Sequence, residues 1–168
     1  GARYYLAEAL VRLGDLKRAD LQLHWVLQRR PSYGPARALR GEAFRRLGNH
    51  VQAAAELARA HALMPEDAGV LEKLGLAFAA IGDLPQALLA FDGALARDPG
   101  RVNALLAQGR ALETRDGAYE ARRAYLRAQG LGAHAEAAAG LARVAALLDE
   151  AGLPSAAPAG WPQVLRAA

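Results

Sequence analysis

The chain has 168 residues, 53% apolar and 23% charged, enough for a buried core and unlike a chain that stays disordered throughout. It has no cysteine, which removes disulfides, thiol nucleophiles and zinc–thiolate sites together, and no apolar run near the roughly 18 residues of a membrane-spanning helix. The net charge of +4 is spread out: residues 1–67 carry 11 basic and 7 acidic groups, residues 68–132 carry 8 and 7, and residues 133–168 carry 2 and 3, which lacks the concentrated basic stripe of a nucleic-acid binder.

Arg outnumbers Lys by 19 to 2, which points to a high-GC bacterial genome. No signal-peptide pattern follows Gly1, so Gly1 reads as a processing boundary, and cytoplasm and periplasm both stay open.

In chain order, residues 1–33 read as a helix, a tight turn at Gly14-Asp15 and a second helix closed by Pro31. Residues 34–67 repeat the pattern with Gly48-Asn49 and Pro65, and residues 68–101 repeat it with Gly82-Asp83 and Pro99. Residues 102–133 are a degenerate fourth copy, with Asp116-Gly117 at the turn and Ala133 at the proline position. Five further columns keep the 34-residue interval through all four copies. Ala7, Gly41, Gly75 and Gly109 precede the turn, as do Leu10, Phe44, Phe78 and Leu112. Ala19, Ala53, Ala87 and Ala121 follow it, then Leu23, Leu57, Phe91 and Tyr125, then Val26, Ala60, Ala94 and Ala128.

The small columns let helix axes approach at the short end of the ~8–10 Å packing range, and the large columns fill the space beside them. One helical hairpin cannot bury its apolar face alone, so neighbouring hairpins stack into a continuous core. Residues 134–151 predict one further helix, whose Ala139-Gly140-Leu141-Ala142 echoes Leu74-Gly75-Leu76-Ala77 and suggests a half-repeat cap. Residues 152–168, with three prolines, read as a linker or tail.

On these residues the chain resembles the tetratricopeptide repeat (TPR) family. The third copy, "LEKLGLAFAAIGDLPQALLAFDGALARDP" at 71–99, fits the family pattern at nearly every position. Arg40 and Gln108 depart from it where an apolar residue is expected. The resemblance implies an all-α helical-hairpin repeat solenoid, a right-handed superhelix of about four repeats with a C-terminal capping helix. It also implies a non-catalytic scaffold that binds a peptide or helix of a partner protein in a concave groove lined by the first helix of each repeat. By phase, that groove takes Tyr4, Glu8, Arg12, Ala38, Glu42, Arg45, Glu72, Leu76, Ala79, Leu106, Arg110 and Glu113, with Leu76, Ala79 and Leu106 as an apolar floor. Members that hold a chaperone tail use Lys and Asn at positions occupied here by Tyr4 and Glu8, then Ala38 and Glu42, so that specialisation is not expected. A rival reading makes the array the repeat domain of a larger enzyme or of a secretion or polysaccharide-export machine.

Outside the groove, Leu21 and Trp25 should face outward from the second helix of the first repeat. They form either a second contact or self-association patch, or a seat for a segment upstream, and Trp161 in the tail either docks back on the last helix or sits in a groove of another copy. No chemistry is expected. His24, His50, His61 and His134 include no pair three or four apart, and the only hydroxyl side chains of Ser or Thr type are Ser32, Thr114 and Ser155, none in a nucleophile context. No phosphate-cradling loop is present, so no catalytic, metal or cofactor residues are assigned.

Overall fold

The computed structural model describes residues 1–114, 116–157 and 159, and Trp161 lies outside them. Among the described residues there are nine α-helices and no strand. They fall into two compact units, Gly1–Arg97 and the part from Asp98 onward.

The first unit holds three hairpins: α1 (Ala2–Leu13) with α2 (Leu16–Arg29), α3 (Gly34–Arg46) with α4 (His50–Leu63), and α5 (Ala68–Ile81) with α6 (Leu84–Arg97). Each hairpin turns on a left-handed glycine, Gly14, Gly48 or Gly82, at φ of 83°, 80° and 90°. That conformation costs a residue with a Cβ about 1–2 kcal/mol, which explains the glycine at this position. Asp15 N–H then reaches back to Leu10 O at 2.9 Å, Asn49 to Phe44 O at 2.9 Å and Asp83 to Phe78 O at 3.0 Å. The Asp15 and Asp83 carboxylates cap the helix that follows, accepting from Arg18 N and Gln86 N.

The repeated columns occupy the centre of this packing. Ala19, Ala53, Ala87, Ala60 and Ala94 are fully buried, as are Leu23, Leu57 and Phe91. A Cβ added to Gly41 would meet Leu57, and one on Gly75 would stand 2.6 Å from the Phe91 ring. Each small residue on a first helix is thus the seat of the large residue on its own second helix. Consecutive hairpins stack through the same logic, with Ala36 of α3 clustered on Ala7, Leu23 and Leu27, and Ala43 on Leu10, Val11 and Ala19.

Arg40 stands in a column whose third member, Leu74, is buried. Its Nε donates to Asp20 Oδ1 at 2.6 Å, its Nη1 lies 3.8 Å from Glu56, and its guanidinium sits over the Phe44 ring. Glu56 is itself buried and also accepts from Arg37 and Arg59, each at 3.0 Å. A satisfied charge cluster between α2, α3 and α4 therefore replaces the apolar contact expected there.

The second unit contains α7 (Val102–Ala111), α8 (Ala118–Gly130) and α9 (His134–Glu150), with α9 packed on both α7 and α8. Its turn is built differently. Gly117 has φ of −98°, and a Cβ there would come within 2.6 Å of Leu112 O, so close approach rather than a left-handed backbone requires the glycine. Tyr125 is buried between two glycines, Gly109 of α7 and Gly140 of α9. After α9, Leu153 N–H bonds to Leu148 O at 2.8 Å, and Tyr119 donates to Pro154 O at 3.0 Å. The predicted linker thus begins with a segment fastened to α8.

Candidate functional site

In the first unit, α1 touches α3 and α3 touches α5, so the first helices of the three hairpins lie side by side. The positions assigned to the groove differ in what they offer. Glu8 and Arg12 form an exposed i,i+4 ion pair at 2.9 Å, worth only about 0.3–0.5 kcal/mol. Glu42 and Arg45 form a half-buried pair in which Nε and Nη2 each donate at 2.9 Å. The Glu42 hydrogen bond, together with the charges of Glu42 and Glu72, holds the Arg45 guanidinium above its ordinary pKa despite partial burial. Glu72 is buried, while Ala38, Leu76 and Ala79 are half-buried.

Tyr4 is also half-buried. It packs against the core of the first hairpin and meets Tyr33 and Tyr5 edge-on, at ring-centroid distances of 5.4 and 5.7 Å. Burial, and secondarily Glu8, raises its phenol pKa.

In the second unit the assigned positions diverge further. Arg110 is exposed, but Leu106 is buried, so the accessible part of the expected floor reduces to Leu76 and Ala79 of the first unit. Leu106 shares its column with Glu72, and both positions are closed to solvent. Glu113 has left the helix because α7 stops at Ala111. Its carboxylate accepts from the Tyr125 hydroxyl and from Arg143 Nε and Nη2, the last two at 2.9 and 2.7 Å. The Arg143 hydrogen bond leads in lowering the Glu113 pKa. Burial and the neighbouring carboxylate push Tyr125 up to about 12, and its bonds to Glu113 and Tyr125 raise Arg143. Glu113 thus ties α9 to the rest of its unit, a role hidden in sequence because Arg143 is 30 residues away.

On the second helix of the first hairpin, Leu21 and Trp25 are exposed, at 61% and 48%. Arg3 lies over the Trp25 ring at 5.2 Å and donates to Gln22 at 3.0 Å. Among the described residues no three His, Cys, Asp or Glu side chains gather in a metal-holding group. No helix among them is long and apolar enough to cross a membrane.

No protein-family model and no curated protein matches the chain. Solved structures do. The MamA fragment from residue 41 to the end, from Desulfovibrio magneticus RS-1, is 25% identical at a TM-score of 0.73, over 79% of this chain and 75% of that one. Another MamA structure superposes at 0.82 with 18% identity, over 90% of this chain and 82% of that one. YrrB, described as a TPR protein with an unusual peptide-binding site, superposes at 0.79 with 15% identity, over 89% and 76%. The chain has the tetratricopeptide-repeat fold. That fold is an all-α helical-hairpin solenoid.

Proposed function

We propose that the chain is a non-catalytic scaffold that binds a peptide or amphipathic helix of a partner protein along the first helices of its repeats. The observation that carries this reading is the surface formed by α1, α3 and α5. Leu76 and Ala79 of α5 remain partly open, and the neighbouring α3 carries the Glu42–Arg45 pair. Apolar anchors supply binding energy, and fixed charges set register and exclude wrong partners. Because Arg45 is already oriented by two hydrogen bonds, little ordering cost falls on the scaffold when a partner docks. Tyr4, Glu8, Arg12 and Ala38 are assigned to the borders of that surface.

The test is affinity capture from a native-host lysate with the parent chain, Leu76→Glu, and Leu89→Glu as control. Leu89 is 67% exposed on α6, away from the first helices. All three proteins are first matched for helicity. A protein captured by the parent and by Leu89→Glu but lost by Leu76→Glu places the partner on the proposed surface. Equal capture by all three rejects it.

A further inference from the structure

The antiparallel first hairpin brings the start of α1 and the end of α2 together, next to Tyr33 just ahead of α3. A cleft opens at this end, lined by Arg3, Trp25, Val26, Arg29, Arg30 and Tyr33 together with Gly1 and Ala2. Its side chains comprise three guanidinium groups, three apolar or aromatic groups and no carboxylate.

What sets the cleft apart is that three guanidinium groups gather in one place. Most other arginines of the same unit are paired, Arg18 with Asp15, Arg40 with Asp20, Arg45 with Glu42, and both Arg37 and Arg59 with Glu56, while Arg46 donates to Val11 O. Among the described residues no carboxylate pairs with Arg3, Arg29 or Arg30. A basic residue in the last turn of α2 complements the helix dipole, but that accounts for one side chain and only about 0.3–1 kcal/mol. It does not explain three unneutralised guanidinium groups around a half-exposed tryptophan.

We propose that this cleft binds an acidic peptide segment of a partner protein, with carboxylates on Arg3, Arg29 and Arg30 and one apolar side chain against Trp25 and Val26. Guanidinium forks match carboxylates in bidentate geometry, and Trp25 provides the apolar contact beside them. Single-stranded nucleic acid, the other polyanion, stacks its bases on open aromatic faces. Here Arg3 already covers a face of Trp25, and Tyr33 is held edge-on against Tyr4, which favours the peptide. This site is separate from the first-helix surface and does not depend on it.

The experiment is fluorescence anisotropy at low salt with a short labelled peptide of Asp and Glu flanking a single Leu-Phe pair. Oligo-dT and the same peptide with Lys in place of its acids serve as comparison probes. The parent should bind the acidic peptide, more weakly as salt rises, and should ignore the Lys version. Arg29→Glu with Arg30→Glu should weaken binding by about tenfold or more, and Trp25→Ala should weaken it too. Arg123→Glu with Arg127→Glu makes the same change of charge on exposed positions of α8, and should leave binding near the parent value. Leu89→Glu, on the exposed side of α6, should leave it unchanged as well. If the glutamates disturb α2, the Arg29→Gln, Arg30→Gln pair gives the same readout. Three results overturn the proposal: no binding of the acidic peptide, equal losses from the two double charge reversals, or preferential oligo-dT binding through Arg29 and Arg30.

Discussion

Gly109 and Tyr125 are in direct contact: a Cβ on Gly109 would stand 2.7 Å from the tyrosine ring. Gly140 of α9 meets the same ring from another helix. The ring cannot swing away, because its hydroxyl is held by Glu113 and Arg143. Alanine normally favours a helix by about 1 kcal/mol over glycine. At Gly140 that gain should be reversed, and Gly140→Ala should destabilise the protein by about 1–3 kcal/mol through overpacking. Gly130 is the comparison: it ends α8 with open space around it and no left-handed backbone. Gly130→Ala should stabilise by about 0.4–1 kcal/mol. Urea unfolding of the two variants reads the difference, and equal effects would mean that Tyr125 does not fix the α7–α8–α9 packing.

The same cluster predicts how stability varies with pH. Glu113 has a depressed folded pKa, so its contribution is complete above the unfolded carboxylate range and is lost as pH falls through the folded value. Tyr125 has a raised pKa, about 12 against an ordinary 10.0, so the folded state binds the proton more tightly than the unfolded one. Its contribution is complete below about pH 10 and declines between there and about pH 12. Thermal melts across this alkaline range should show a fall that Tyr125→Phe reduces. An identical fall in the variant would assign the alkaline loss to other groups.

The buried charge cluster separates two superficially similar substitutions. Glu56→Ala leaves Arg37, Arg40 and Arg59 without their shared carboxylate and should cost about 3 kcal/mol. Arg40→Leu restores the apolar residue found at Leu74 in the next repeat. It frees only Asp20, which is partly open to water, and should stay within about 1 kcal/mol of the parent. Chemical denaturation of both variants checks the ranking.

The parts of this fold legible in sequence are those fixed by steric need at a constant period. Gly75 had to be small because Phe91 lies on it, and Gly82 had to be glycine because the turn is left-handed. Such demands recur through the three hairpins of the first unit and so appear as columns. Arg40 was opaque for the opposite reason: Asp20 and Glu56 lie on different helices, 20 and 16 residues away, and only the folded packing gathers them. The ties of Glu113 were opaque too, because phase carried past Ala111 does not show that α7 ends there. Gly140 follows Gly109 by 31 residues instead of 34, so the period could not announce that both face Tyr125. On the proposed surface, phase cannot distinguish half-open Leu76 from buried Leu106.

The segment after α9 gives the last prediction. Tyr119 reaches 35 residues along the chain to donate to Pro154 O, and Leu153 closes the end of α9 through Leu148 O. Tyr119→Phe keeps the buried ring and removes only the hydroxyl, so the global loss should be about 0.5–1.5 kcal/mol. The local effect should be larger in proportion, because the lost bond acts directly on the backbone of Pro154. Hydrogen exchange at Leu153 should therefore accelerate in Tyr119→Phe by more than exchange in the middle of α9, around Val144. Uniform acceleration at both sites would show that Tyr119 acts on the whole unit rather than as a local clasp.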